Sequence, residues 1–180
     1  MSSLPRPGGE DQHEYYSRYT DLVPEGDIVQ TLRGQMETTL ELLRGVPAEK
    51  ETFRYAEGKW SLREVIGHLI DTERVFSFRA LTMAREDTAR LPGMDQEDWG
   101  GRNNAHARSL EDLTDEWAAL RRANVHLFAT FDADTGSRTG IASGYTFAVR
   151  SFPWIIAGHE LWHRQLIERD YLSDHVPEGD

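Results

Sequence analysis

Cysteine does not occur in this chain. Its absence excludes a disulfide framework, a thiolate metal site and a cysteine nucleophile, so any bound metal must rest on nitrogen and oxygen donors. No run of 18 apolar residues occurs either, and the amino-terminal MSSLPRPGGEDQ lacks a basic region followed by an apolar segment. Neither a membrane span nor a secretory leader is expected, and the reading is a cytoplasmic protein. Positive charge is also scarce. Lys and Arg number 20 against 31 Asp and Glu, a formal net charge of -11, and no basic run is present. Nucleic-acid affinity needs cations that neutralise phosphates, so nucleic acid and anionic membranes are not expected partners. What the chain does have is apolar material: 38% of its 180 residues are hydrophobic, enough for one ordinary core.

Residues 1–20 are rich in Ser, Pro, Gly and charge and read as a flexible tail, which leaves a single domain over 21–180. Ile28, Leu32, Met36, Leu40 and Leu43 fall at spacings of three and four and predict a first helix, ended by Gly45-Val46-Pro47. Ser61 and Glu64 form an S-x-x-E capping box ahead of an apolar stripe running to about Arg85. Pro92-Gly93, Gly100-Gly101 and Asn103-Asn104 mark residues 86–109 as a long loop. Leu113, Trp117, Leu120, Asn124, Leu127 and Phe131 predict a third helix from Leu110 to Phe131. Tyr145, Phe147 and Val149 alternate with smaller or polar residues, which predicts a short extended arm, and Pro153 suits the first turn of a last helix reaching Tyr171. The expected architecture is all-α, an antiparallel four-helix bundle with a short extended arm before the last helix.

The last helix carries GHELWH, Gly158–His163, which spells H-E-x-x-H. Two histidines one turn apart with an intervening glutamate form the zinc-peptidase pattern. His159 lies with Ile155, Trp162 and Leu166 on the apolar stripe, and His163 is one turn on, so both rings face the bundle interior. Each could be a core histidine bonded to a carbonyl or carboxylate. Two side by side must each find a partner or bear a desolvation penalty of roughly 1–3 kcal/mol. A shared metal satisfies both. The peptidase form fails, because its elongated version needs a glycine where Leu166 stands and a histidine where Arg169 stands. A glutamate from a later helix is also missing, since Glu168 is too near and Glu178 lies in the tail. A di-iron site needs a second Glu-x-x-His, and none follows from the sequence. The best-placed third ligand lies upstream at His68, inside the capped helix. His13 and His175 sit in tails, His106 in a loop, and His126 flanks the third helix. Three neutral nitrogens would leave a position open for water or substrate.

GKWSLREVIGHLIDTERVFSFRAL and, after a gap, ASGYTFAVRSFPWIIAGHELWHRQLIERDY together resemble the DinB/YfiT-like superfamily, over about Ile28–Tyr171. The first block is similar to its W-S-x-x-E and G-H-L-x-D-x-E stretch, the second to its arm and A-G-H-x-x-x-H helix. The resemblance implies up-down-down-up helix connections and a divalent metal, zinc or nickel, on His68, His159 and His163. It also implies a homodimer and a chemistry drawn from thiol-dependent transferases, thiol-using isomerases and hydrolases. The expectation is a metal-dependent S-transferase that joins a low-molecular-weight thiol to a small electrophile. The alternatives are a hydrolase using metal-bound hydroxide, or a non-catalytic, stress-related bundle that binds metal or ligand.

Asp71 and Glu160 are the carboxylates nearest in sequence to these histidines, and so the candidates for orienting a ligand or moving a proton, unless they are ordinary surface or capping charges. Trp60, Trp154 and Trp162 could line a pocket or serve packing, and Trp99 with Asp95, Glu97 and Asp98 could cover the site mouth. Arg150 is either an anion anchor or a salt-bridge partner.

Overall fold

Each long helix begins where the sequence supplies a cap. The computed structural model describes residues 4–86 and 89–173, and after a short helix α1 (Ser17–Thr20) the first long helix is α2 (Ile28–Arg44). Asp27 accepts from the N–H groups of Val29 and Gln30, two donors that a helix start leaves free. At the start of α3 (Leu62–Arg85), Ser61 Oγ accepts from Glu64 N at 3.3 Å and Glu64 Oε2 accepts from Ser61 N at 2.6 Å, the reciprocal capping box. The next helices are α4 (Gln96–Gly100), α5 (Leu110–Ala129), capped by Ser109, and α6 (Ala133–Ser137). Finally α7 (Ser151–Leu166), with Pro153 in its first turn, runs on into a π-helical stretch, Ile167–Leu172.

The four long helices form the bundle. α3 packs against α5 and α7, and so does α2. Consecutive helices α2 and α3 therefore lie across the bundle diagonal, while the two histidine-bearing helices, α3 and α7, are neighbours. The core has two apolar clusters. One gathers Leu32, Phe76, Phe128, Phe147 and Phe152, the other Leu40, Leu62, Ile66, Leu69 and Trp117. The first cluster is carried by the amino-terminal halves of α2 and α7 and the carboxy-terminal halves of α3 and α5.

Between the clusters, at mid-height, sits a polar layer. Arg121 of α5, 1% exposed, donates through Nε and Nη2 to Glu73 of α3 at 2.7 and 2.9 Å and through Nη1 to Glu160 of α7 at 2.5 Å. Asn124 Nδ2 adds a bond to Glu73 at 3.1 Å, and Thr39 of α2 donates to Glu160 at 2.6 Å. All four bundle helices meet in this one network.

Two expectations need correction. The chain is not all-α: β1 (Arg90–Leu91), β2 (Thr139–Ala142) and β3 (Tyr145–Ala148) form a three-stranded sheet, with β1 parallel to β2 and β2 antiparallel to β3. The hairpin lies at the expected arm and turns at Ser143 and Gly144, whose φ values of 54° and 84° suit a tight hairpin turn. β1 is two residues long, too short to show any periodicity, and exists because β2 offers it an edge. It and α4 break up the expected loop. The amino-terminal segment, expected to be a tail outside the core, packs on the bundle from residue 4: Leu4 is fully buried and its carbonyl accepts from Trp154 Nε1 at 3.1 Å. Arg150 reinforces this with a two-bond pair to Asp11 at 2.7 and 3.0 Å, so it is a salt-bridge partner. Among the described residues, no helix is long and apolar enough to cross a membrane.

Replacing Arg121 by Met removes the shared cation and strands two buried carboxylates. The expected loss is roughly 3–5 kcal/mol in urea unfolding, and a wild-type midpoint would contradict the role given to this network.

Candidate metal centre

Three imidazole nitrogens converge where α7 faces α3. His159 Nε2 lies 3.1 Å from His68 Nε2 and 3.1 Å from His163 Nε2, and the three donor atoms fall within 4.8 Å of one another. A neutral imidazole nitrogen either donates or accepts one in-plane hydrogen bond. His159 Nε2 therefore cannot satisfy both neighbours by hydrogen bonding. A single cation can, since tetrahedral metal–nitrogen bonds of about 2.0–2.1 Å place donor nitrogens about 3.3 Å apart. The residues fit a metal.

Their electrostatics point the same way. Burial pushes the His68 pKa from 6.5 down to about 4. Burial, aided by the proximity of His68, pushes His163 down to about 3. His159 is held well below its usual value by burial and then by His163 and His68. All three rings are therefore neutral at pH 7, the form that binds a metal. His68 and His159 are buried, and His163 is half-buried, with an Nδ1 that is inaccessible and has no hydrogen-bond partner.

The surroundings hold the rings in place. Trp60 packs on His68 with ring centroids 4.8 Å apart, and Tyr19 meets His159 edge-on at 5.2 Å. Thr72 Oγ1 lies 3.4 Å from His68 Nδ1. Two glycines explain how this cover comes so close. A Cβ on Gly158 would collide with the Tyr19 carbonyl, and a Cβ on Gly67 would lie 2.6 Å from Asn103 Nδ2. Each precedes a histidine of the cluster, so the G-H pairs of the sequence mark where a covering segment presses on a helix.

Two cavities reach the cluster. The wider, about 320 Å³, touches His68 and His163 and is walled by Tyr55, Trp60, Trp162 and Tyr171, with exposed Arg18 and Lys59 beside it. A smaller one, about 70 Å³, touches His159. Tyr15 and Tyr19 line both.

The two candidate carboxylates lie elsewhere. Glu160, 1% exposed, points into the polar layer, where Arg121 and Thr39 occupy its oxygens. Asp71 is half-buried and faces Arg74 and Glu116; burial raises its pKa, against the pull of Arg74. Neither lines the two cavities. His13 packs on Tyr145, His106 and His126 are exposed, and none of them joins the cluster, while His175 and Glu178 lie outside the described residues. Trp60 and Trp162 line the wider cavity, whereas Trp154 is core. Glu97 reaches the cavity wall, but Trp99 lines a separate apolar groove with Phe78 and Met94. The sequence reading missed Tyr15, Tyr16 and Tyr19, whose clustering in EYYSRYT was the available signal, and it missed Arg79 and Arg121. An arginine beside an apolar stripe looks like an ordinary surface charge until its burial is known.

The family model of the DinB superfamily matches residues 31–167. Among solved structures, YfiT from Bacillus subtilis, described as a probable metal-dependent hydrolase with an unusual four-helix bundle topology, is similar with a TM-score of 0.65. The likeness covers 91% of each chain at 14% identity and is one of fold. No curated protein matches the chain.

Because the native histidines have depressed pKa values, the unfolded chain binds more protons between about pH 4 and 6.5. Stability of the metal-free protein is thus fully present above about 6.5 and falls as the pH drops towards 4. Urea midpoints measured at stepped pH should show this fall, and it should be smaller in His68→Gln. Identical profiles for the two proteins would contradict the assignment.

Proposed function

The chain belongs to the DinB superfamily, and on that premise we propose that it is a metal-dependent enzyme in which His68, His159 and His163 hold one divalent cation, zinc or nickel. The observation that carries this reading is the convergence of three buried, neutral imidazole nitrogens with two 3.1 Å separations. Three protein ligands leave a coordination position open, which marks catalytic as opposed to structural sites. The cation supplies Lewis acidity, which makes a thiol or a water nucleophilic near neutral pH.

The protein's own residues supply the rest. Trp60 and Tyr19 shield His68 and His159 from solvent. The cavity of about 320 Å³ is the size of a small-molecule site, and its aromatic walls suit an apolar or conjugated electrophile. With no cysteine in the chain, a thiol nucleophile must arrive as a cosubstrate. The proposed reaction is thiol transfer to such an electrophile. Hydrolysis is the second reading, favoured by the description given to YfiT. In neither reading does Glu160 serve as the general base, because Arg121 and Thr39 hold it.

Elemental analysis of purified, tag-free protein should find about one equivalent of zinc or nickel per chain, lost in His68→Ala. No metal in the wild type, even after incubation with both ions, would remove the enzyme reading. Turnover of an activated electrophile that requires added thiol would support transfer, and turnover without thiol would turn the assignment to hydrolysis.

A further inference from the structure

Beside the histidine cluster lies a buried cation that no described carboxylate pairs. Arg79, on α3, is 3% exposed. Its Nη2 donates to Pro92 O at 2.9 Å and Ser143 Oγ at 3.1 Å, and the guanidinium faces the Tyr16 hydroxyl. These partners are all neutral, and the Phe76 ring, its centroid 5.8 Å from the guanidinium carbon, adds only a cation–π contact at the outer limit of that interaction. Among the described residues, Arg79 forms no ion pair with a carboxylate, whereas the equally buried Arg121 has two. An uncompensated charge in a desolvated position is costly, and burial draws the Arg79 pKa down accordingly. Tethering Pro92 and Ser143 explains two hydrogen bonds. A neutral amide could make them, so tethering does not explain a full positive charge there.

Arg79 lines the smaller cavity, with His159, Thr72 and Tyr16 around it. Its volume of about 70 Å³ exceeds the roughly 10–15 Å³ that one water needs, and so admits a group of a few non-hydrogen atoms. A carboxylate has that size, and its two planar oxygens match a guanidinium fork. His159 lines this same cavity, so a ligand anchored on Arg79 lies directly beside one of the three histidines.

We propose that Arg79 is an anion-binding residue that holds the carboxylate of a small carboxylic-acid substrate in the pocket next to His159. The placement of the reacting part of that substrate over the histidines rests on the metal-enzyme reading; the anion site itself does not.

The test titrates sodium acetate into the full-length protein, as purified and after chelator treatment, by isothermal calorimetry, with sodium phosphate and sodium chloride run in parallel. Saturable acetate binding is expected in both preparations, weakened about tenfold or more in Arg79→Gln and unchanged in Arg18→Gln, a cation beside the wider cavity. Acetate binding that Arg79→Gln leaves intact would mean an adventitious ion only and would overturn the proposal. So would the absence of acetate binding, or an Arg79-dependent site that takes phosphate and refuses acetate. If Arg79→Gln does not fold, wild-type protein labelled with ¹⁵N in its arginine side chains decides the question. The Arg79 Nε–H resonance should shift on adding acetate, and no shift would sink the idea. Acetate binding in a protein that takes up no metal would contradict the metal reading while leaving the anion site standing.

Discussion

A guanidinium inside a protein must be matched by charge and hydrogen bonds, and the way Arg121 is matched governs the bundle. Its partners Glu73 and Glu160 come from α3 and α7, and Thr39 of α2 completes the layer. Removing any one partner leaves a buried charge or acceptor exposed to an apolar medium, which is why the layer fixes its neighbours strongly. Because successive residues of a helix are about 100° apart, holding Glu160 against α5 sets the rotation of α7 about its axis. That rotation turns His159 and His163 towards α3, where Glu73 fixes the rotation that presents His68. The glutamate of H-E-x-x-H therefore has a structural task in this chain: it aims the histidines.

Coverage of the cluster comes from outside the bundle. The segment bearing Tyr15, Tyr16 and Tyr19 lies across α7, close enough that position 158 admits only glycine, and the stretch around Asn103 presses on α3 at Gly67 in the same way. Burial by these covers keeps the imidazoles unprotonated, so the packing of a short amino-terminal segment and the ligand state of the histidines are one physical fact. The same cover divides the space above the histidines into a broad aromatic cavity and a narrow one beside Arg79.

Local signals made the bundle legible. The stripes Ile28–Leu43 and Leu62–Arg85 lie within one residue of α2 and α3, and the Ser61–Glu64 capping box is present. Spacing alone also put His159 and His163 inward and picked His68 as their companion, and the structure brings these three together. What stayed hidden was non-local. β1 is made by its neighbour, the amino-terminal segment has a composition that hides its three tyrosines, and the choice for Glu160 between a reactive carboxylate and an ordinary charge stayed open because sequence proximity to His159 says nothing about the opposite side of the helix. Arg79 and Arg121 share a residue type with sixteen other arginines, and only burial separates them. Interactions within a helical turn can be read from sequence; partners brought together by folding cannot.

The central claim is that three neutral histidines hold one metal and leave it a vacant coordination position. Cobalt(II) substitution tests it directly, because the visible spectrum of this ion reports its coordination number and donor atoms. The account predicts strong four- or five-coordinate absorption bands in wild-type protein, their loss in His163→Ala, and a new sulfur-to-cobalt charge-transfer band when a small thiol is added. A weak six-coordinate spectrum like that of the free aqueous ion, unaltered by the substitution, would contradict it.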